Sequence, residues 1–526
     1  MKIILKITAG LLIVLLTVAS CFSCKNRTRS GTADAAGFYH EKYRPQYHFS
    51  PESGWMNDPN GLVYNDGEYH LFYQYYPDST VWGPMHWGHA VGTDLVHWKH
   101  LPVALYPDSL GYIFSGSAVT DRDNTSGLRE GTVPPLIAIF TYHNSKLERS
   151  GNTGFQSQGL AWSNDRGRTW NKYQGNPVLP NPGIKDFRDP KVIWHEPSGR
   201  WIMILAVHDR VHIYSSPDLK NWSFESEFGE NAGSHGGVWE CPDLFPLAVT
   251  GTSLSKWVML VSINPGGPNG GSATQYFTGD FDGHKFTPDN TSVKWMDLGT
   301  DNYAGVTWSG IPASDGRRIL LGWMSNWNYA TVVPASTWRS AMTIPRKLSL
   351  YTSNGDYFLA SSPVNELKNL RADSLPLVRQ GNSKTPNGIT IKGDPGLSRS
   401  ELDLDFIATG ADTVGIALEN ELSERLLICY SALSEEVFID RSGAGDASFS
   451  PRFTGIVKAP YKAGERISMH LFVDATSVEL FIDDGRLVMT SVFFPSENFS
   501  SLKIYPGRNG NLLQKGIVYH LNGIWQ

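Results

Sequence analysis

Between roughly residue 45 and residue 350, no stretch of this chain keeps a helical period. Short apolar and aromatic runs are cut every few positions by Gly, Pro, Asn or Asp, and the 526-residue chain carries 52 Gly and 31 Pro. Interruption at that spacing leaves room for short strands and tight turns. "GLVYNDGEYHLFYQYYP" reads as a hairpin closed by an Asn-Asp-Gly turn. "DPKVIWHEPSGRWIMILAV" repeats the plan, and "CPDLFPLAVTGTSLSKWVMLVSI" does so with a longer loop. A second element recurs around Asp94, Asp165, Asp218 and Asp280, in "GTDLVHW", "SNDRGRTW", "SSPDLKNW" and "TGDFDGHKF". Its intervals of 71, 53 and 62 residues are near the size of one four-stranded blade. A jelly roll or sandwich would also supply short strands, but would not repeat that turn. The expectation is an all-β chain whose first part is a β-propeller.

"SSPVNELKNLR" (361–371) reads as a linking helix. Beyond it, segments such as "SELDLDFIATG", "RLLICYS" and "ISMHLFVDATSVELFIDDG" alternate polar and apolar residues, the pattern of an antiparallel β-sandwich. Asp483-Asp484-Gly485 is placed in a hairpin turn, and the sandwich acids are read as solvent-facing charge. The chain divides as 1–20 lipoprotein signal peptide, 21–41 flexible tether, 42–360 propeller, 361–371 linker helix and 372–526 sandwich.

The first segment is read as targeting. Lys2 and Lys6 flank the start of an apolar run from Ile3 to Val18, shorter than the roughly 20 residues of a membrane span. "TVASC" resembles a bacterial lipobox, which implies cleavage before Cys21, lipid on its thiol and a place in the cell envelope. Cys21, Cys24, Cys241 and Cys429 match neither a zinc spacing nor a disulfide framework. A formal net charge of −6 argues against a nucleic-acid partner. Seventeen Trp, with aromatic residues at 12% and charged residues at 18%, suit the apolar faces of sugars better than phosphate.

Three acids share one local setting: Asp58 in "WMNDPNG", Asp189 in "FRDPK" and Glu240 in "VWECPDLF". Each has a proline within two positions. In the first, Pro59 lacks a donor and restricts Asp58 to extended backbone, while Asn60-Gly61 is turn chemistry, so the segment is expected at a turn beside a strand end. Acids at equivalent strand ends of separate blades could meet at the central axis, and separations of 131 and 51 residues allow this. Singly, such pairs open turns, as Glu196-Pro197 and Asp394-Pro395 are expected to do. Together, with Trp55, Trp239 and Arg188 beside them, they suggest glycoside hydrolysis, which needs one ionised and one protonated carboxyl group. Trp239 is expected to desolvate Glu240 and Arg188 to keep Asp189 ionised. His86, His89, His97 and His100 are too poorly spaced along a strand to form a metal cluster, so no metal is expected. No His is placed to activate Cys241 as a nucleophile. "SNDRGRTW" resembles the Asp-box of sialidases, but a single copy is a blade turn and no arginine triad accompanies it.

The blocks "WMNDPNG", "FRDPK" and "WECPDLF" resemble the signatures of glycoside hydrolase family 32, the invertases, inulinases and levanases. "FYQYYP", "WGPMHWGHAVGTDLVHW", "FSGSAV", "TDNYAGVTW" and "HLFVDATSVELFIDDG" agree, so the likeness spans roughly residues 42–526. The resemblance implies a five-bladed propeller followed by a sandwich, and hydrolysis of β-fructosidic bonds with retention. It implies Asp58 as nucleophile, Glu240 as acid/base and Asp189 as transition-state stabiliser. Asn57, Gln74, Trp82, Ser115, Arg188, Tyr303 and Trp308 would line the fructosyl pocket, with Ser117 or Thr307 as alternatives to Ser115 and Trp308. No cofactor and no protein partner are implied, and a monomer acting on fructan from its end is expected. An endo-levanase is the alternative within this fold. A non-catalytic glycan-binding propeller is disfavoured by the presence of all three acids, and an inverting arabinanase-type enzyme by "WMNDPNG".

Overall fold

The computed structural model describes residues 38–377, 390–410, 413–453, 455–505 and 512–525. The segment read as a signal, Cys21 and the part of the expected tether up to residue 37 lie outside the described residues. Among those described, five sheets of four or five strands precede two six-stranded sheets, and the three-dimensional plan is a β-propeller followed by a β-sandwich.

The innermost strands of blades I to V are Gly54–Asn65, Tyr112–Thr120, Phe187–His195, Val238–Ala248 and Tyr303–Thr307. Each lies against the next, and the fifth lies against the first, which closes the ring. A short parallel pairing of Trp338–Arg339 with the start of the first strand adds to the closure. Each blade is an antiparallel meander buried on both faces, which is why its inner strands read as nearly continuous apolar runs.

The recurring aspartates tie the turns before the outer strands. Asp94 accepts from the amides of Val96 and His97, Asp165 from Thr169, and Asp218 from Lys220 and Asn221. In the fourth copy the acid with this role is Asp282, which accepts from His284 and Lys285. Asp280, the residue singled out in the sequence, is still in the strand and pairs with Lys256.

"WMNDPNG" lies inside a strand, not at a turn as expected. Gly54–Asn65 runs through it, and the pairing with the next strand slips between Met56 and Pro59 and again between Asn60 and Val63. An innermost strand is paired along one edge by its own blade, so a residue without a donor is tolerated on the other edge or at a bulge. The same slip occurs in every other innermost strand: after Ile113, Arg188, Glu240 and Tyr303. In four of the five, the first bulged residue is left-handed: Gly61 (φ 54°), Asp189 (64°), Cys241 (45°) and Ala304 (53°). At Gly61 a Cβ would meet Phe72 at 2.6 Å and Trp87 at 2.9 Å, so only glycine serves there. A left-handed non-glycine residue costs roughly 1–3 kcal/mol. The ring therefore holds Asp189, Cys241 and Ala304 in a costly conformation at its centre.

Pro363 ends the last propeller strand, and Asn365–Leu370 forms a 3-10 helix. The segment read as a linking helix is thus part strand and part tight turn. Leu367 and Leu370 bury there. The sandwich follows with sheets ordered around Ser400–Ile407 and Thr413–Glu419, and Asp483, Asp484 and Gly485 make the expected hairpin turn, all with positive φ.

The sandwich acids do not all face solvent. Asp474 and Glu479 are fully buried against the propeller, and Glu401 is buried too. Glu479 accepts from Arg346 Nε at 2.9 Å, His48 Nε2 at 2.9 Å and the Ile344 amide at 2.8 Å. Asp474 takes the other ring nitrogen of His48 at 2.7 Å and the amides of Gln46 and Tyr47. An alternating pattern locates a strand's two faces but not what will cover each one.

Candidate active site

The three acids leave the ring at different heights. Glu240 precedes its bulge, Asp189 is the first bulged residue of its strand, and Asp58 sits in the additional, earlier bulge of blade I. They are not at equivalent strand positions. The bulges re-aim the three side chains so that they meet nonetheless, in a pocket of about 390 Å³ at the mouth where the innermost strands begin.

Asp58 accepts from Ser115 Oγ at 2.6 Å and from Asn57 Nδ2 at 2.9 Å, and Trp55 Nε1 holds Asn57 Oδ1 at 2.8 Å. Asp189 Oδ2 receives the Cys241 amide at 3.1 Å. The Cys241 thiol stands between the two aspartates, 3.5 Å from Asp58 and 3.6 Å from Asp189. Glu240 is gripped through Oε1 by Arg188, at 3.2 Å from Nε and 3.0 Å from Nη2, while Tyr303 donates its hydroxyl to Oε2. Arg188 reaches Asp186 at 2.6 Å but stands 3.9 Å from Asp189. So the arginine is a clamp on Glu240 more than a partner of the acid next to it in sequence.

Burial pushes the Asp189 carboxyl up to about 7; Arg188 opposes this, and the charges of Glu240 and Asp58 add to it. Asp58 is also raised by burial, against the hydrogen bonds from Ser115 and Asn57 that favour its charged form. Burial works against charge on Arg188, yet Glu240, Asp189 and Asp186 hold it above its ordinary value. Burial and the surrounding carboxylates push the Cys241 thiol far up. It stays a neutral donor and cannot serve as a thiolate nucleophile.

Of the remaining expected residues, Asn57, Gln74, Trp82, Ser115 and Arg188 line the pocket. Gln74 fixes Asn60 Oδ1 at 2.7 Å, and Trp82 stands at the rim, 40% exposed, edge-on to Phe114. Ser117 is spent on the backbone of Pro190 and Val192, so Ser115 is the hydroxyl that reaches an acid. Trp308 does not line the pocket. It is fully buried in the propeller core, its Nε1 donates to the His70 carbonyl at 3.0 Å, and it stacks on Trp98. Thr307 is no substitute, because its amide and hydroxyl bind Asp243. Thr307 and Trp308 lie four and five positions beyond Tyr303, roughly 13–16 Å further along the chain from the mouth, which the local sequence does not reveal. Trp239 also turns away: it packs on Phe277 and His235 with Nε1 on the Ser234 carbonyl. Neighbours along a strand face opposite sides, so the tryptophan beside Glu240 could not cover it.

Sequence reading missed Trp327, which lines the pocket and stacks on Trp55 at 5.8 Å. It also missed Asp186, and the His143–Glu148 pair at the rim. Asp186 stands two residues before Arg188 in "DFRDPK", a signal that was available; Trp327 lies in "SNWNYA", which carries none. His86, His89, His97 and His100 fall in separate settings: His86 on the Pro84 carbonyl, His89 on His70, His97 on Asp94 and His100 on Tyr39. Cys241 and Cys429 are free and buried.

The chain matches the model of the glycosyl hydrolases family 32 N-terminal domain over residues 48–363 and that of the family 32 C-terminal domain over 366–516. It is 48% identical over 507 residues to a levanase of Bacillus subtilis, covering 95% of this chain and 73% of that protein. It is 41% identical over 493 residues to an extracellular exo-inulinase of Aspergillus niger, covering 88% and 91%. Among solved structures, exo-inulinase from Aspergillus awamori superposes with a TM-score of 0.84 at 35% identity, over 93% of this chain and all of that one. A β-fructofuranosidase of Schwanniomyces occidentalis, complexed with fructosyl-erythritol, gives 0.81 at 34%, over 92% and 99%.

Proposed function

The chain belongs to glycosyl hydrolase family 32, and from that premise we propose that it releases fructose from the ends of fructans, and from sucrose, by double displacement. The observation that carries this is the meeting of Asp58, Asp189 and Glu240, from three separate blades, in one pocket. Asp58 acts as nucleophile. Its two hydrogen bonds from Ser115 and Asn57 orient the carboxylate and favour its charge. Glu240, aimed by Arg188 and Tyr303, gives its proton to the leaving oxygen and then takes one from water. Asp189 Oδ2 is held by Cys241, which leaves its other oxygen for fructosyl hydroxyls as the ring gains positive charge. Asn57, Gln74, Trp82, Ser115, Arg188 and Tyr303 shape the fructosyl site.

End-on action is supported by the likeness to extracellular exo-inulinases. Thin-layer analysis of products from levan, inulin and sucrose tests this reading. Fructose alone is expected, and a ladder of oligosaccharides would show endo action. Nuclear magnetic resonance of the first-formed fructose should show the substrate's anomeric configuration retained; inversion would refute the roles given to Asp58 and Glu240.

We also propose that residues 1–20 are a lipoprotein signal and that lipid on Cys21 anchors the enzyme to the cell envelope, through a tether from residue 21. The tether ends before Tyr39, short of the expected 41, since Tyr39 stacks on Trp525 at 4.1 Å and Glu41 is buried against Arg44. The support is the lipobox-like "VASC" after an apolar run. Radiolabelled palmitate should enter the wild type and not Cys21→Ala; equal labelling of both would refute it. Among the described residues, no helix is long and apolar enough to cross a membrane.

A further inference from the structure

At the opposite ends of the same innermost strands lies a larger cavity, about 530 Å³. Thr120, His195 and Pro246, at or near the ends of the innermost strands of blades II, III and IV, border it. Glu240 and Phe245 share one strand and lie five residues apart, so the two cavities are separated by roughly 16 Å of backbone. Nothing in the hydrolytic chemistry uses this second cavity.

Its lining is unlike an ordinary surface dimple. Trp194 is 36% exposed and is held in place by Trp201, edge-on at 5.1 Å, and by a 2.6 Å bond from its Nε1 to Glu196. Trp257 lines the same space, packed on His195 at 5.8 Å. Arg318 also faces it, stacked over the Phe245 ring at 5.0 Å. Its guanidinium makes a single hydrogen bond among the described residues, a long one of 3.4 Å to the Trp308 carbonyl. The nearby Asp243 is already committed to Lys191 and Thr307. Spare donors on a partly buried guanidinium and a fixed indole face thus share one cavity with the exposed charges of both signs on Arg122, Asp123 and Glu196. An anion would meet those carboxylates, and an apolar ligand would strand the guanidinium without a partner. A neutral polyhydroxyl ligand satisfies both, since its C–H face packs on indole and its hydroxyls donate and accept.

We propose that this cavity is a second saccharide site, which holds fructan away from the catalytic pocket and keeps the enzyme on the polymer. The choice of fructan rests on the reading of the catalytic pocket given above. A second contact with a repeating polymer raises the local concentration of chain ends without changing the chemistry at any one of them.

Trp194→Ala and, separately, Arg318→Gln test it. Native gels cast with levan or inulin read binding, and sucrose hydrolysis reads folding and the catalytic pocket. Both variants should keep kcat/KM for sucrose within about twofold, lose the retardation seen for the wild type, and lose about fivefold or more in kcat/KM on polymer. Trp194 is at the surface, so its variant decides the matter if Arg318→Gln fails to fold. Unchanged retardation in Trp194→Ala, or no retardation of the wild type by either fructan, overturns the proposal. Retardation by a glucan or mannan instead of fructan overturns the fructan assignment. A protein that cleaves no fructoside, yet shows Trp194-dependent retention in levan, refutes the catalytic reading and leaves this site standing.

Discussion

Around Arg346, where propeller meets sandwich, the carboxylates of Asp297 and Glu479 meet the guanidinium, and His48 joins Glu479 to Asp474. Around Arg188, at the mouth of the propeller, Asp186 and Glu240 bond its guanidinium, Asp189 stands 3.9 Å off, and Asp58 lines the same pocket. Both clusters are buried, and they are built to different ends. At the interface nearly every carboxylate oxygen accepts two or more hydrogen bonds, and although burial opposes it, Arg346 holds Asp297 and Glu479 below their ordinary values. At the mouth, burial and mutual repulsion prevail: Asp58 and Asp189 are pushed up, and Asp189 keeps an oxygen unpaired among the described residues. A saturated cluster joins two domains. An unsaturated one stores unmet hydrogen-bonding capacity that a polyhydroxyl substrate can fill.

The contrast breaks most sharply at Asp58. Asp58→Asn should lower kcat by about 10⁴-fold or more on every fructoside, while its melting temperature stays at or above the wild-type value, because a desolvated charge has been removed. A stability loss of several degrees would place Asp58 among the structural acids.

Glu479→Gln should do the reverse. Removing one partner of a buried ion pair typically costs about 3–5 kcal/mol, so urea unfolding should move to a clearly lower midpoint. The folded fraction should hydrolyse sucrose at the wild-type kcat. A large fall in kcat per folded molecule would mean that the interface reaches the catalytic mouth.

Next in size is the pH dependence of stability. Asp189, raised to about 7, holds a proton that the unfolded chain loses near 3.8. Its contribution is fully present below that lower value and is lost as pH rises through about 7. His48, raised to about 9 by Asp474 and Glu479 against the effect of burial, contributes fully below 6.5 and loses its contribution through about 9. Melting temperatures should therefore fall between pH 4 and 7 and again between 6.5 and 9. Asp189→Asn should flatten the first slope and His48→Gln the second. Unaltered slopes in both variants would show that other groups titrate.

The smallest effect is expected at Cys241. Its thiol is a weak donor to Asp58 and Asp189, so Cys241→Ala should change kcat/KM for sucrose by about three- to tenfold, the scale of one modest hydrogen bond. Loss of all activity would make the thiol part of the chemistry.

Much of the fold was legible in the chain. The hairpin at Asp66-Gly67, the aspartate turns at Asp94, Asp165 and Asp218, and the alternating strands after residue 400 all rest on local chemistry: left-handed glycine, side-chain caps on turn amides, and a period of two. The acids were legible for the same reason, since proline marks each bulge that aims them. Three things were not: that "WMNDPNG" is strand, that Arg188 holds Glu240 rather than Asp189, and that Trp308 and Trp239 face the core while Trp327 faces the pocket.

By itself, then, the sequence determined where strands begin and end and which carboxylates are directed, because turn, cap and bulge energies act over a few residues. Only the tertiary structure decided what each directed side chain meets. The ring brings Arg188 to Glu240 across 52 residues and Tyr303 to Glu240 across 63. It also decides whether a buried acid is neutralised, as Glu479 is by Arg346, or left open to substrate, as Asp189 is. Charge compensation depends on distance in space, and in a closed ring that distance is set by blades far apart in the chain.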